Sequence, residues 1–160
     1  MSLNELLGNR PATAPVNPEL AGAPAREVAV ITCMDCRIPA LESFGLALGD
    51  AHVIRNAGAA VTDDVIRSLS ISQRKLGTRG VLLMAHTSCG MTTFTDDEYV
   101  AELAGDAGQE PTWRPAAFAD PAEHVRRGIA ALRSSPFLHP EMSVRGFVID
   151  LKSGVVDEVS

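Results

Sequence analysis

The sequence predicts an α/β domain: a mostly parallel central β-sheet flanked by helices, with a helical arm before it and a β-hairpin at its end. Three observations lead there. From residue 27 onward, short β runs alternate with amphipathic helical runs, as strand–helix–strand units do. The run Val28-Ala29-Val30-Ile31-Thr32 is apolar almost throughout, the composition of a strand buried on both faces. The 160 residues are 46% apolar, enough for one core and too apolar for a disordered chain.

Residues 1–26 form the arm. Ser2 and Glu5 stand at capping-box spacing, so Ser2 to Gly8 reads as a short helix. Pro11, Pro15, Pro18 and Pro24 then keep the chain semi-extended. Such an arm either frays or packs on a partner subunit.

Residues 27–160 form the domain proper. A first strand runs from Glu27 to Thr32 and ends at Cys33. Pro39 to Phe44 is expected as a short helix and His52 to Arg55 as a second strand. Asn56 to Ala60 is a loop of small residues. Thr62 or Asp63 caps a helix reaching Leu76, with Val65, Leu69 and Leu76 on one face and Gly77 as its stop. Gly80 to Ala85 is a third strand, ending at His86. Between Met91 and Pro115 one helix is expected, near Asp96 to Leu103. Asp120-Pro121-Ala122-Glu123 supplies an N-cap, a proline at the first helical position and an early acid, and Val125, Ile129 and Leu132 give that helix its apolar stripe. Val144 to Asp150 and Val155 to Val159, joined by Lys152-Ser153-Gly154, read as the terminal hairpin.

Composition narrows the function. The net charge of −6 suits neither nucleic-acid phosphates nor an acidic membrane surface, and the seven aromatics lie on no basic stripe. No apolar run approaches the roughly 20 residues of a membrane span, and no signal peptide opens the chain, so a cytoplasmic home is expected. The loop Asn56 to Ala60 lacks the lysine of a phosphate loop. Three cysteines, an odd number in a reducing compartment, do not form a disulfide scaffold and need another explanation.

That explanation lies in Cys33-Met34-Asp35-Cys36-Arg37 and His86-Thr87-Ser88-Cys89-Gly90. Cys33 and His86 each end a predicted strand, and parallel sheets collect their chemistry beyond the carboxyl ends of strands. Thiolate and imidazole suit zinc. His86 and Cys89, three apart on a turn expected to open a helix, can face one ion, with Cys33 as the third ligand. Three protein ligands leave a position open, as catalytic zinc sites do. Taken singly, each cysteine would read as a small buried hydrophobe and His86 as a core histidine. Asp35 and Arg37 read either as a solvated pair or as a carboxylate held near the metal by a guanidinium, where Asp35 accepts a hydrogen bond from bound water or ligates the ion itself.

These two motifs together resemble those of the β-class carbonic anhydrases, in particular the compact archaeal and actinobacterial branch. The resemblance extends over residues 27–160, through Arg55-Asn56-Ala57-Gly58, the helix from Asp63 to Leu69, and the hairpin from Val148 to Gly154. It implies one zinc per subunit on Cys33, His86 and Cys89, with Asp35 as a fourth ligand only in a closed state. It implies that Asp35 and Arg37 orient the zinc-activated water, that Gly90, Asn56 and Gly58 lie on the substrate side, and that the substrate pair is carbon dioxide and bicarbonate. It further implies a homodimer or homotetramer with the arm laid across the neighbour. Cys36 stands where relatives often carry serine, and a glutamine that assists bicarbonate binding in the plant-type branch has no counterpart.

Zinc lowers the pKa of bound water, giving a hydroxide that attacks an electrophilic carbon. Two thiolates offset the ion's charge, so alkaline pH should favour activity. Proton export needs a shuttle; His52 is one candidate, although a surface or core role is the simpler reading for it, as for His124 and His139. Three other readings stay open: hydrolysis of carbonyl sulfide or carbon disulfide on the same zinc, a dithiol redox or sensor protein built on Cys33-x-x-Cys36, and a non-catalytic zinc protein. Cys36 is expected to be packed or weakly hydrogen-bonded, a place where oxidation could disable the site.

Overall fold

A computed structural model describes residues 2–14 and 16–160; Met1 and Pro15, the latter part of the expected arm, lie outside the described residues. The sheet is built from β1 (Val28–Cys33), β2 (Ala51–Asn56), β3 (Gly80–His86), β4 (Ser143–Ile149) and β5 (Val156–Val159), in the order β2-β1-β3-β4-β5. The first four strands are parallel and only β5 runs antiparallel, paired with β4 through the terminal hairpin. The central strands β1 and β3 are buried on both faces: Ile31 and Leu83 point to one side and Val30 and Met84 to the other.

Four helices accompany the sheet. The first, α1 (Leu3–Gly8), is capped by the reciprocal Ser2–Glu5 box, yet none of its residues is buried. The second, α2 (Asp63–Leu76), starts at Thr62, whose side chain accepts from the Val65 amide, and stops at Gly77 with φ of 77°. Its buried Val65 and Leu69 join Ile31, Leu83 and Val125 in the larger core cluster. α3 (Asp96–Ala107) carries a second capping box, Thr95 with Glu98. α4 (Pro121–Ser134) begins as expected, Asp120 accepting from the Ala122 and Glu123 amides. It lies close on the sheet through two glycines: a Cβ at Gly128 would come within 2.6 Å of Leu83 Cδ2, and one at Gly146 within 2.7 Å of Ile129 Cδ1.

Three expectations are corrected. The helix predicted over Pro39 to Phe44 is only a 3₁₀ turn, Glu42–Phe44, because the Phe44 and Gly45 amides bond back three residues, to the Leu41 and Glu42 carbonyls. α3 runs past Leu103 to Ala107, since Gly105 is accommodated within the helix and Gly108, with φ of 71°, supplies the left-handed stop. The segment after Cys89 is not the start of an α-helix but another single 3₁₀ turn, Gly90–Thr92.

Between α1 and Ala23 the described residues are exposed, and the arm's apolar side chains Leu3, Leu6, Leu7 and Val16 face solvent. The root of the arm is docked: the Ala25 and Arg26 amides donate to the carbonyls of Gly49 and Asp50. No helix among the described residues is long and apolar enough to cross a membrane.

Candidate metal centre

The carboxyl ends of β1 and β3 bring Cys33 and His86 together, and the turn after β3 adds Cys89. One ligand atom from each of the three lies within 4.8 Å of the others, and all three residues are buried. To make so tight a turn, Ser88 adopts a left-handed φ of 54°, a strained conformation for a residue with a Cβ. The sequence motif gave no sign of that strain.

The hydrogen-bond pattern tests whether the group fits a metal. His86 Nδ1 lies 3.0 Å from the Thr87 carbonyl. A carbonyl only accepts, so Nδ1 carries the proton and Nε2 is left with its lone pair. That Nε2 is buried, and among the described side chains it is the one buried N or O atom without a hydrogen-bond partner. An orphaned imidazole nitrogen facing two sulfurs is costly without an acceptor of its lone pair, and zinc supplies one. The Gly58 amide donates to Cys33 Sγ at 3.3 Å, which orients the sulfur. Burial pushes the Cys89 thiol above its ordinary range; the Met91 amide works against this, and charge on Cys33 adds to the rise. A divalent cation relieves both penalties.

Beside this group, Asp35 is held by Arg37 on both oxygens. Arg37 Nε donates to Oδ1 at 2.9 Å, Nη2 donates to Oδ2 at 2.6 Å, and the Arg37 amide adds a third bond to Oδ1 at 3.0 Å. These bonds hold the Asp35 carboxyl well below the usual carboxylate range. Arg37 Nη2 also reaches the Ser88 carbonyl at 3.4 Å, tying the first motif to the second. Asp35 is therefore engaged with Arg37, and its Oδ2 stands 3.9 Å from His86 Nε2.

The group opens into a cavity of about 640 Å³ lined by Cys33, Asp35, Asn56, Gly58, Cys89 and Gly90, and on the far side by Met91, Phe94, Tyr99 and Trp113. The outer wall is fastened by Asp96, whose carboxylate accepts from the Ala117 amide at 2.7 Å, and by the Arg114–Asp97 ion pair. The Asn56 side chain is itself occupied, donating to the Ala60 carbonyl and accepting from the Ala60 amide. One expectation fails: Cys36 is exposed rather than packed, because Asp35 and Arg37 turn toward each other and leave the residue between them facing solvent. His52 takes the structural role that is the simpler reading for it: it pairs with Ala29 near the amino ends of the strands, and its ring nitrogens contact Ser72 Oγ and the Gly22 carbonyl. The sequence also left out the wall residues Phe94, Tyr99 and Trp113, which lie in a stretch without periodic signal.

Fold and site together define an α/β metalloprotein with a buried Cys–His–Cys centre at the strand ends. The model of the carbonic anhydrase family matches residues 28–110. Beta-carbonic anhydrase 1 of Mycobacterium tuberculosis is 47% identical over 137 residues, covering 86% of this chain and 84% of the relative. A carbon disulfide hydrolase of Acidianus sp. is 31% identical over 153 residues, covering 80% of this chain and 74% of the relative. The crystal structure of a carbonic anhydrase from Streptococcus mutans superposes with a TM-score of 0.81 at 43% identity, over 86% of this chain and 84% of that one. The chain belongs to the β-carbonic anhydrase family.

Proposed function

We propose that this chain catalyses the reversible hydration of carbon dioxide to bicarbonate and a proton, with Cys33, His86 and Cys89 holding the zinc ion that the family uses. The observation that carries the reading is the buried, unpartnered His86 Nε2 facing two cysteine sulfurs beside an Asp35 already fixed by Arg37. When bound, zinc acidifies water to a nucleophile at near-neutral pH.

The residues divide the remaining work. Arg37 keeps Asp35 ionised and oriented, so that Oδ2 accepts the hydrogen of the attacking group and points its lone pair at the substrate. Gly90, Asn56 and Gly58 line the cavity, and the Gly90 amide is the donor assigned to the developing bicarbonate oxygens in this reading. Phe94, Tyr99 and Trp113 give that cavity an apolar wall suited to a small neutral molecule.

The division into an arm, residues 1–26, and a catalytic domain, residues 27–160, belongs to the same reading. The leucines of α1 are exposed and suit burial against a second copy, as a homodimer or homotetramer. Two buried thiols that must stay reduced to hold zinc suit a cytoplasmic location.

The test is stopped-flow carbon dioxide hydration on metal-quantified wild type and Cys89→Ser. Zinc-loaded wild type should hydrate carbon dioxide above the buffer rate and the variant should not; no activity in the loaded wild type overturns the reading. The similarity to a carbon disulfide hydrolase favours one second reading, hydrolysis of carbon disulfide or carbonyl sulfide on the same site. Assaying these substrates on the same preparation separates the two.

A further inference from the structure

The loop that carries Cys33, Asp35 and Arg37 has little packing to hold it. Met34 is 66% exposed, Cys36 and Arg37 are exposed, and of the loop's later residues only Ile38 reaches the core. β1 ends at Cys33, so the carbonyls that follow have no sheet partner. One side chain collects them. Arg55, fifth residue of β2, lies opposite Thr32 in the register and extends its guanidinium along the loop. Its Nε donates to the Cys33 carbonyl at 3.0 Å, Nη2 to the Asp35 carbonyl at 2.6 Å, and Nη1 to the Ile38 carbonyl at 3.3 Å.

We propose that Arg55 is a positioning residue for the reaction, its planar fork setting the Cys33–Ile38 loop so that the first sulfur ligand and the Asp35–Arg37 pair keep their relation to His86 and Cys89. This rests on the carbonic anhydrase reading above. The argument is geometric. Three carbonyls spread along six residues are satisfied together only by a rigid group with several N–H donors in one plane. The bonded carbonyls belong to a metal ligand, to the carboxylate that faces His86 Nε2, and to the loop's root. Holding these three peptide planes fixes where the Cys33 and Asp35 side chains leave the backbone. Of the backbone bonds, the Met34 amide to the Asn56 carbonyl ties one peptide to β2, and the Ile38 amide to the Asp35 carbonyl at 3.2 Å closes the loop on itself as a turn without tying it to the sheet. Misplacement of a reacting group by a fraction of an ångström is costly where catalysis depends on orientation.

Two variants and two readouts test this. Arg55→Ala and Arg55→Lys are loaded with zinc and quantified. Carbon dioxide hydration is then measured beside the rate at which a chelator strips the zinc. Both variants should lose roughly 10- to 100-fold in kcat/KM and release zinc faster than wild type, as loss of groups that orient metal ligands does. Lysine should be little better than alanine, because one ammonium cannot span three carbonyls. Low millimolar guanidinium, far below denaturing concentrations, should restore part of the activity of Arg55→Ala and none in wild type. Should Arg55→Ala merely melt earlier, with wild-type turnover and zinc release below its Tm, the proposal is overturned. Wild-type rates in Arg55→Lys would overturn the planar-fork argument in the same way. Zinc release is read without any substrate, so an inactive wild type would refute the carbonic anhydrase reading while leaving the positioning role of Arg55 still tested by the chelator.

Discussion

Asp35 Oδ2 stands 3.9 Å from His86 Nε2, near enough to govern whatever occupies the metal site but too far to satisfy the imidazole itself. The reason is Arg37, which takes both carboxylate oxygens. Replacing Asp35 with asparagine keeps the shape and one acceptor oxygen but removes the charge, and it leaves Arg37 facing an amide. Zinc content should stay at wild-type level, because the three ligands are untouched. Activity should fall by roughly 10- to 100-fold. Stopped-flow kinetics paired with metal analysis read both; equal activity at equal zinc would refute a role for the carboxylate.

His86 gives a second prediction. Its Nε2 is the buried nitrogen left without a hydrogen bond, so removing the metal leaves that atom unsatisfied in the folded state. Dialysis against a chelator should abolish hydration and lower Tm, and zinc alone should restore both. With free zinc a hundredfold above Kd, the stabilisation is about 2.7 kcal/mol. His86→Ala should purify with substoichiometric zinc and show a much smaller Tm shift on zinc addition, which differential scanning calorimetry would detect.

Much of this site was legible because its chemistry is local. Cys33, Asp35 and Arg37 fall within five residues, and His86 and Cys89 within four, each of the two motifs following an apolar run that reads as a strand. Helix starts were legible for the same reason: Ser2 with Glu5, Thr62, and Asp120 before Pro121 announce themselves within one turn. What escaped is set by residues far apart in the chain. Arg55 looks like any arginine at a strand end until β2 is laid beside β1. The amide of Gly58 is directed at Cys33 Sγ only because the chain turns at φ of 73° there. Stops misled as well, since Gly105 and Gly108 are alike in sequence and only the second takes the left-handed conformation. Strand order, with β1 and β3 central, depends on crossovers that no local pattern encodes.

Gly146 on β4 faces α4 so closely that a Cβ there would lie 2.7 Å from Ile129 Cδ1 and closer still to Val125 Cγ1. Its backbone is ordinary extended strand, so conformation alone does not require glycine. Gly146→Ala should therefore act purely by overpacking, with a loss of about 1–3 kcal/mol. Urea denaturation should show a lower midpoint with an unchanged slope. Because β4 also pairs with β3 along its full length to His86, faster zinc release in native buffer should accompany the loss. A neutral substitution would mean that α4 moves off the sheet at no cost.

Asp150 links the terminal hairpin to the metal centre. Its carboxylate accepts from the Lys152 and Ser153 amides and the Ser153 hydroxyl, while the other oxygen takes the Thr87 hydroxyl at 3.3 Å. Thr87 in turn accepts from the Leu151 amide through its hydroxyl and from His86 Nδ1 through its carbonyl. The Ser153 amide, then the Ser153 hydroxyl and the Lys152 amide, hold the Asp150 carboxyl below its ordinary value. A carboxylate with a lowered folded pKa stabilises the fold above its unfolded pKa, about 3.9, and that contribution disappears as pH falls through the folded value. Asp150→Ala should thus melt below wild type at pH 7, and the two Tm values should draw together as the pH is taken below about 4. Zinc release from Asp150→Ala should also be faster at neutral pH, since the hairpin no longer braces Thr87 against His86. A Tm gap that persists unchanged into acid would show that the side chain stabilises the turn by packing and not by its charge.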